Sequence, residues 1–128
     1  MSYKIEESQY FCTNMPTIFH NHIIYSITDI NGIITNVSNA FCLETGYQRK
    51  DIIGKTHSFL RAPNFPDEIY KDLWDTITKD NIWKGQINNL RKDGISYWTN
   101  SIIQPIFDEK NKKIAYLAIR QNITREKE

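Results

Sequence analysis

WKGQINNLRKDGISYWTNSIIQPIFD, from Trp83 to Asp108, reads as two long strands joined at Asp93-Gly94. In a strand, successive side chains point to opposite faces. Gly85, Ile87, Asn89 and Arg91 therefore share one face of the first run, with Gln86, Asn88 and Leu90 on the other. Tyr97, Thr99 and Ser101 share a face of the second run, and Trp98 alternates away from Tyr97 and Thr99 onto the outer face. Asp-Gly between two such runs is a hairpin signal. Upstream, IIYSITD and IITNVS flank Asn31-Gly32, a second hairpin in which both turn residues are expected at positive φ. Downstream, the turn EKNKK leads to a last strand, IAYLAIRQNIT.

Helices fill the gap between the second and third strands. Ser38 or Asn39 can cap a short helix over AFCLETG, which Gly46 ends. Another is expected near Arg49–Ile53, closed by Gly54. PNFPDEIYKDLWDTITKDN carries the best helical pattern, with Asn64 as candidate N-cap and Pro66 in the first turn. Ile69, Tyr70, Leu73, Trp74 and Ile77 form its apolar stripe. The order predicts an α+β fold: a five-stranded antiparallel sheet with the helices gathered on one face. A cavity between sheet and helices is a natural ligand site. Residues 1–21 read as an N-terminal cap segment. Within them, residues 4–19 form a loosely amphipathic stretch interrupted by Pro16, either a short cap helix or a segment that packs on a partner. The domain proper is expected over 22–124, and residues 125–128 as the start of a linker.

Composition narrows the function classes. The 128 residues suit one domain, and the net charge of +1 supplies no basic field for non-specific nucleic-acid binding. No apolar run is long enough to span a bilayer, and MSYKIEESQYF lacks a signal-peptide core, so a cytosolic module is expected. Cys12 and Cys42 belong to no CxxC pair and read as inert thiols. No Ser-His-Asp set, phosphate loop, HExxH or pair of catalytic carboxylates is present, so an enzyme is not expected. His20 and His22 would share one face of a strand, with no third metal ligand in view.

SITDINGIITNVSNAF, TGY (Thr45–Tyr47), DIIGK, WKGQINNLRKDGISYW and the closing AIRQNIT together resemble a PAS domain from about Ile23 to Thr124. Within that family, RAPNFP and the pairing of DLW with WKGQINNLRKDG resemble the FAD-binding aerotaxis receptors, alongside the redox sensors of nitrogen-fixation control. Ala62 and Asn64 depart from the RHPDMP form of those receptors. The resemblance implies a cytoplasmic sensory domain that binds a flavin, FAD first and FMN second, and reports redox state or oxygen. It further implies a homodimer and an output domain such as a chemoreceptor, histidine kinase or diguanylate cyclase. The alternative is a cofactor-free module, or one with another ligand, for dimerisation and signal relay.

The same resemblance nominates site residues. His57 falls where the light-sensing LOV branch carries its adduct-forming cysteine, and an imidazole cannot form a thiol adduct. It can still hydrogen-bond near a ring nitrogen and answer a change of charge. Asn89 is matched to the amide that reads the pyrimidine edge of a flavin, with Asn88 as runner-up should the register slip by one. Thr99 stands where LOV domains have a second such asparagine. Arg120 stands where they have a flavin-facing glutamine, with a surface ion pair as its ordinary alternative. Arg61 and Asn64 are candidates for phosphate contacts, and Trp74 for packing beside the ring. The absence of His from residues 67–80 argues against the haem-ligation mode of PAS sensors. Asn122 and Thr124 resemble the DxT closing motif, with Asn for Asp.

Overall fold

Three hairpin loops of one design set the sheet in the computed structural model, which describes residues 5–127, with side chains from Thr13 onward. The strands are β1 (Ile24–Thr28), β2 (Ile34–Val37), β3 (Trp83–Leu90), β4 (Ser96–Phe107) and β5 (Lys113–Asn122). In the β1–β2 loop, Asp29 N–H donates to Ile33 O (2.9 Å) and Gly32 N–H donates back to Asp29 O (3.1 Å). Arg91 with Ile95 and Gly94, and Asp108 with Lys112 and Asn111, repeat both bonds. The left-handed position is held by Gly32 (φ 86°), Gly94 (φ 86°) and Asn111 (φ 62°). This corrects the two-residue reading of Asn31-Gly32. Only the glycine has positive φ, as in a type I turn followed by one left-handed residue. Asp29 makes the difference: its Oδ1 accepts from Asn31 N–H and Ile33 N–H, which favours the longer loop.

The strands pair antiparallel in the order β2-β1-β5-β4-β3. The sheet is thus the five-stranded antiparallel one expected. Its helices are α1 (Ile5–His22), α2 (Asn39–Thr45), α3 (Arg49–Ile52), a 3-10 turn (His57–Leu60), α4 (Asp67–Thr78) and α5 (Thr124–Lys127). Ser38 caps α2, its Oγ accepting from Phe41 N–H at 3.0 Å, and Gly46 ends it at φ 82°. The N-cap position of α4 is Pro66, with no side-chain bond, so Asn64 is not its cap. The acidic Asp67 and Glu68 supply the favourable charge at that end instead.

α1 runs through Pro16 without a break, against the expected interruption. A proline removes one helical hydrogen bond, and fixed flanking turns can carry the helix across it. The last turns of α1 are held by side chains. His20 Nδ1 meets Tyr25 Oη at 3.2 Å, His20 Nε2 meets Arg49 Nη2 at 3.1 Å, and Asn39 donates to Asn21 at 2.9 Å. His20 and His22 therefore lie on a helix and not on a strand. Cys12 lies outside the residues whose side chains are described.

Two apolar clusters fill the space between sheet and helices. One joins Leu73 and Ile77 of α4 to Trp83, Ile87, Ile103, Tyr116 and Ala118. The other joins Ile34, Val37, Phe41, Ile52 and Leu60. Gly85 serves the first cluster. The indole of Trp83 lies across it, so that a Cβ there would stand 2.5 Å from the ring. The inner sheet face also buries a polar set: Ser26, Thr28, Asn89, Thr99, Ser101 and Arg120. Polar groups are expensive to bury without partners, and this set borders the cavity described next.

Candidate functional site

GKTHSFLRAPNFP, Gly54 to Pro66, crosses the sheet from one edge strand to the other. At its start, Gly54 N–H donates to Ile34 O (2.9 Å) and Ile34 N–H donates to Lys55 O (2.8 Å), fixing it to β2. Thr56 caps the 3-10 turn through Ser58 N–H. At its far end, Arg61 bridges to Asn89 and Ala62 N–H donates to Asn88 O (3.4 Å), fixing it to β3. The segment is thereby one wall of a cavity of about 230 Å³. Leu73, Trp74 and Ile77 of α4 form another wall, and Ile87, Ile103, Tyr116 and Ala118 form the floor.

His57 points into this space. Its Nε2 lies 2.9 Å from Ser26 Oγ, and its ring stands edge-on to Phe41 at 6.3 Å. Arg120 Nη1 donates to the same Ser26 Oγ at 3.2 Å, which leaves the hydroxyl proton available to the imidazole. Burial, reinforced by the Arg120 guanidinium, pushes the His57 pKa well below its ordinary 6.5. The ring is neutral at physiological pH.

Arg120 is buried, and its guanidinium lies over the Phe41 ring at 5.3 Å. Its Nε has no hydrogen-bond partner. Among the described residues, the ion pairs are Arg91–Asp93 and Lys113–Asp80, so Arg120 has no carboxylate. Burial lowers its pKa, while Tyr97 and Tyr70 raise it. The surface ion pair considered for Arg120 is thus absent. Tyr70 is a second orphan: its hydroxyl is buried without a partner, and burial raises its pKa. Arg61 stacks on the Tyr70 ring at 3.9 Å.

Asn89 is 5% exposed on the inner face and lines the cavity. It pairs across the hairpin with Tyr97, whose pKa is pushed up to about 12, chiefly by burial. Asn88 is occupied elsewhere, donating to Tyr97 O at 3.2 Å. The register therefore presents Asn89, and not its neighbour, to the cavity. Trp74 sits at the rim, 36% exposed, edge-on to Tyr116 at 6.0 Å and against Gly32.

Of the seven nominated residues, the fold brings His57, Arg61, Trp74, Asn89 and Arg120 to one cavity. Thr99 is fully buried beside it, its hydroxyl 2.9 Å from Ser101 Oγ, and is not among the lining residues. Asn64 is exposed and also lies off the cavity wall. Ser26 and Tyr70 line or border the polar end without having been nominated. Their signal was a serine between two apolar-rich positions of IIYSIT and a phenol on the apolar stripe of α4. Cys42 is half-buried on α2, away from the lining, and burial pushes its thiol pKa up.

A family model described as the PAS domain matches residues 21–125 of this chain. The chain belongs to the PAS family. Among curated proteins, this PAS domain is 32% identical over 103 residues to the aerotaxis receptor of Escherichia coli strain K12, covering 80% of this chain and 20% of that protein. It is 30% identical over 102 residues to the nitrogen fixation regulatory protein of Klebsiella pneumoniae, covering 80% and 21%. The chain thus spans about a fifth of the length of these relatives. Among solved structures, a PAS domain from Colwellia psychrerythraea superposes with a TM-score of 0.78 at 24% identity, covering 90% of this chain and 98% of that one. That match bears on the fold alone. No helix among the described residues is long and apolar enough to cross a membrane.

Proposed function

We propose that this PAS domain is the sensory module of a signalling protein, holding a flavin in its central cavity and reporting redox state or oxygen. FAD is the first candidate and FMN the second. One observation carries the reading: an apolar slot ends in polar atoms left without partners, Arg120 Nε and Tyr70 Oη, beside Asn89 and His57. Buried donors without partners are uncommon in native proteins. A flat heteroaromatic ring with a polar edge fits such a slot, because its faces match Leu60, Leu73 and Ile87 and its edge supplies acceptors. The resemblance to FAD-binding PAS domains points to the same class of ligand.

In this reading each residue has a task. Asn89 offers a donor and an acceptor to the edge of the ring. His57, neutral and tied to Ser26, holds a hydrogen bond at the cavity wall. Arg61, exposed above Tyr70 and lining the cavity, is the candidate to meet the phosphates of a dinucleotide. Thr99 acts from behind the wall through Ser101. Asn64 is a looser candidate for the phosphate end. A bound flavin supplies reversible electron transfer. The chain supplies binding, orientation and exclusion of water.

Relay runs to the outer sheet face and α5. Trp98 N–H donates to Thr124 Oγ1 at 2.9 Å, Thr124 N–H donates to Asn122 Oδ1 at 2.9 Å, and Lys127 lies over the Trp98 ring at 4.6 Å. These contacts couple β4 to the segment from which an output domain would be driven. Ile102 is exposed on the face of β4 opposite the buried Ser101 and Ile103 and supports docking of a second copy on the outer face.

The test is the visible absorption spectrum of the purified protein, before and after incubation with FAD. Flavin bands that stay with the protein through gel filtration are expected. Asn89→Ala should weaken retention by about tenfold, the loss of one well-placed hydrogen bond in a buried site. A protein that stays colourless after incubation rejects the reading. Unchanged retention in Asn89→Ala rejects the role of that residue.

A further inference from the structure

The walls of the cavity carry positive charge and no negative charge. Arg120 and Arg61 line it, and no Asp or Glu does so among the described residues. The titratable groups facing Arg120 are His57 from the 3-10 turn, Tyr70 from α4 and Tyr97 from β4. All three are neutral near pH 7: the His57 pKa is depressed, and the tyrosines, neutral there in any case, have theirs raised further. Glu44 acts on Tyr97, but its carboxylate is bonded to Asn122 Nδ2. Ser26 gives the buried guanidinium one hydrogen bond and Phe41 a ring face, and neither is a counter-ion.

An ion buried without its counter-ion is strongly disfavoured, and a group of opposite charge placed beside it relieves part of that cost. Arg120 Nε–H and Tyr70 O–H are both donors in want of an acceptor. We infer that the polar end of the cavity is a seat for negative charge on the ligand, so that a flavin bound here is held as an anion once it is reduced. This rests on the flavin reading and adds to it the charge state of the bound ring. Two electrons arrive from an external donor, such as a reduced nicotinamide or, in the assay, dithionite. One proton arrives with them and forms an N–H bond at ring nitrogen N5. A second proton, which would neutralise the reduced ring, would be disfavoured by the unpaired Arg120 guanidinium at the polar end of the cavity. Arg120 thereby stabilises the reduced form over the oxidised one. A change of ligand charge is delivered directly to β5, the central strand.

The experiment uses the full chain loaded with FAD and reduced anaerobically with dithionite, its absorption followed across a pH series. Anionic and neutral reduced rings have distinct spectra. The wild type is expected to keep the anionic spectrum at a pH where Arg120→Gln has become neutral, a difference of about tenfold or more in the proton affinity of the ring. Arg120→Lys, which retains the charge, should restore most of that difference. A neutral reduced spectrum in the wild type near pH 7 overturns the inference without reference to any variant. Identical titrations of the wild type and a folded Arg120→Gln overturn it as well. A chain that takes up no FAD overturns the flavin reading and this inference together, and is distinguished from the other failures by the missing oxidised spectrum.

Discussion

Mild acid should destabilise this domain through one residue, His57. Its folded pKa lies well below the ordinary 6.5, chiefly because the ring is buried and secondarily because Arg120 repels a second positive charge. The unfolded chain therefore binds a proton near pH 6.5 that the folded chain refuses. Stability contributed by the neutral ring is present above the unfolded pKa and is lost as the pH falls from there toward the folded pKa. With the folded ring held neutral, the loss approaches about 1.4 kcal/mol per pH unit below 6.5. From about pH 7 to about pH 5.5 it amounts to about 1.2 kcal/mol. His57→Gln puts a non-titrating amide in place of the imidazole beside Ser26. Urea unfolding of both proteins at a series of pH values measures the effect, and the difference between the two curves cancels the carboxylates common to both. The wild type should lose about 1 kcal/mol more than His57→Gln between those limits. Parallel curves would refute the burial of a neutral imidazole against Arg120.

Three further outcomes follow from packing and capping. Gly85→Ala would drive a methyl group to 2.5 Å from the Trp83 ring and dislodge the indole from Asp72, to which its Nε1 donates at 3.0 Å. It should cost about 2 kcal/mol by urea unfolding; a neutral result would contradict the described Trp83 rotamer. Ser38→Ala removes a side chain that caps Phe41 N–H and also accepts from Tyr25 N–H at 3.0 Å. A loss of about 1–2 kcal/mol is expected, and a loss under a few tenths would show that the cap is not made. Arg49→Ala removes the side chain that joins Val37 O, Asn36 and Asn39 to His20 of α1. Hydrogen exchange at the last turns of α1 should quicken while the sheet stays protected, and equal protection in the two proteins would count against the clamp.

The sheet was legible because strand alternation is a local property. Ile87 and Asn89 turned inward and Gln86 outward as the period requires, and a slip of one would have presented Asn88. Loop class was less legible. Asn-Gly and Asp-Gly mark a hairpin, but the loop length was set by the aspartate hydrogen bonds around them. Helix ends divided similarly: Ser38 and Gly46 acted as their types suggest, whereas Asn64 did not, because the chain enters α4 through Pro66. Pro16 read as a break, yet α1 is held by contacts with Tyr25, Asn39 and Arg49 that no window of sequence contains. The site was legible only in part for the same reason. Alternation gives the face of Arg120 but not its depth, which comes from Ser26 of the neighbouring β1 and Phe41 of α2 packed against its guanidinium. Ser26 was missed because it matters through His57 and Arg120, 31 and 94 positions away.

The most direct test of the account is whether a flavin enters this particular cavity. Free FAD and free FMN are each titrated with the ligand-free protein while flavin fluorescence is followed. A companion variant, Ala118→Phe, fills the floor of the cavity from the centre of β5. Saturable quenching is expected with the wild type and its loss in a folded Ala118→Phe. Fluorescence unchanged by the wild type, or quenched equally by the filled variant, would contradict it.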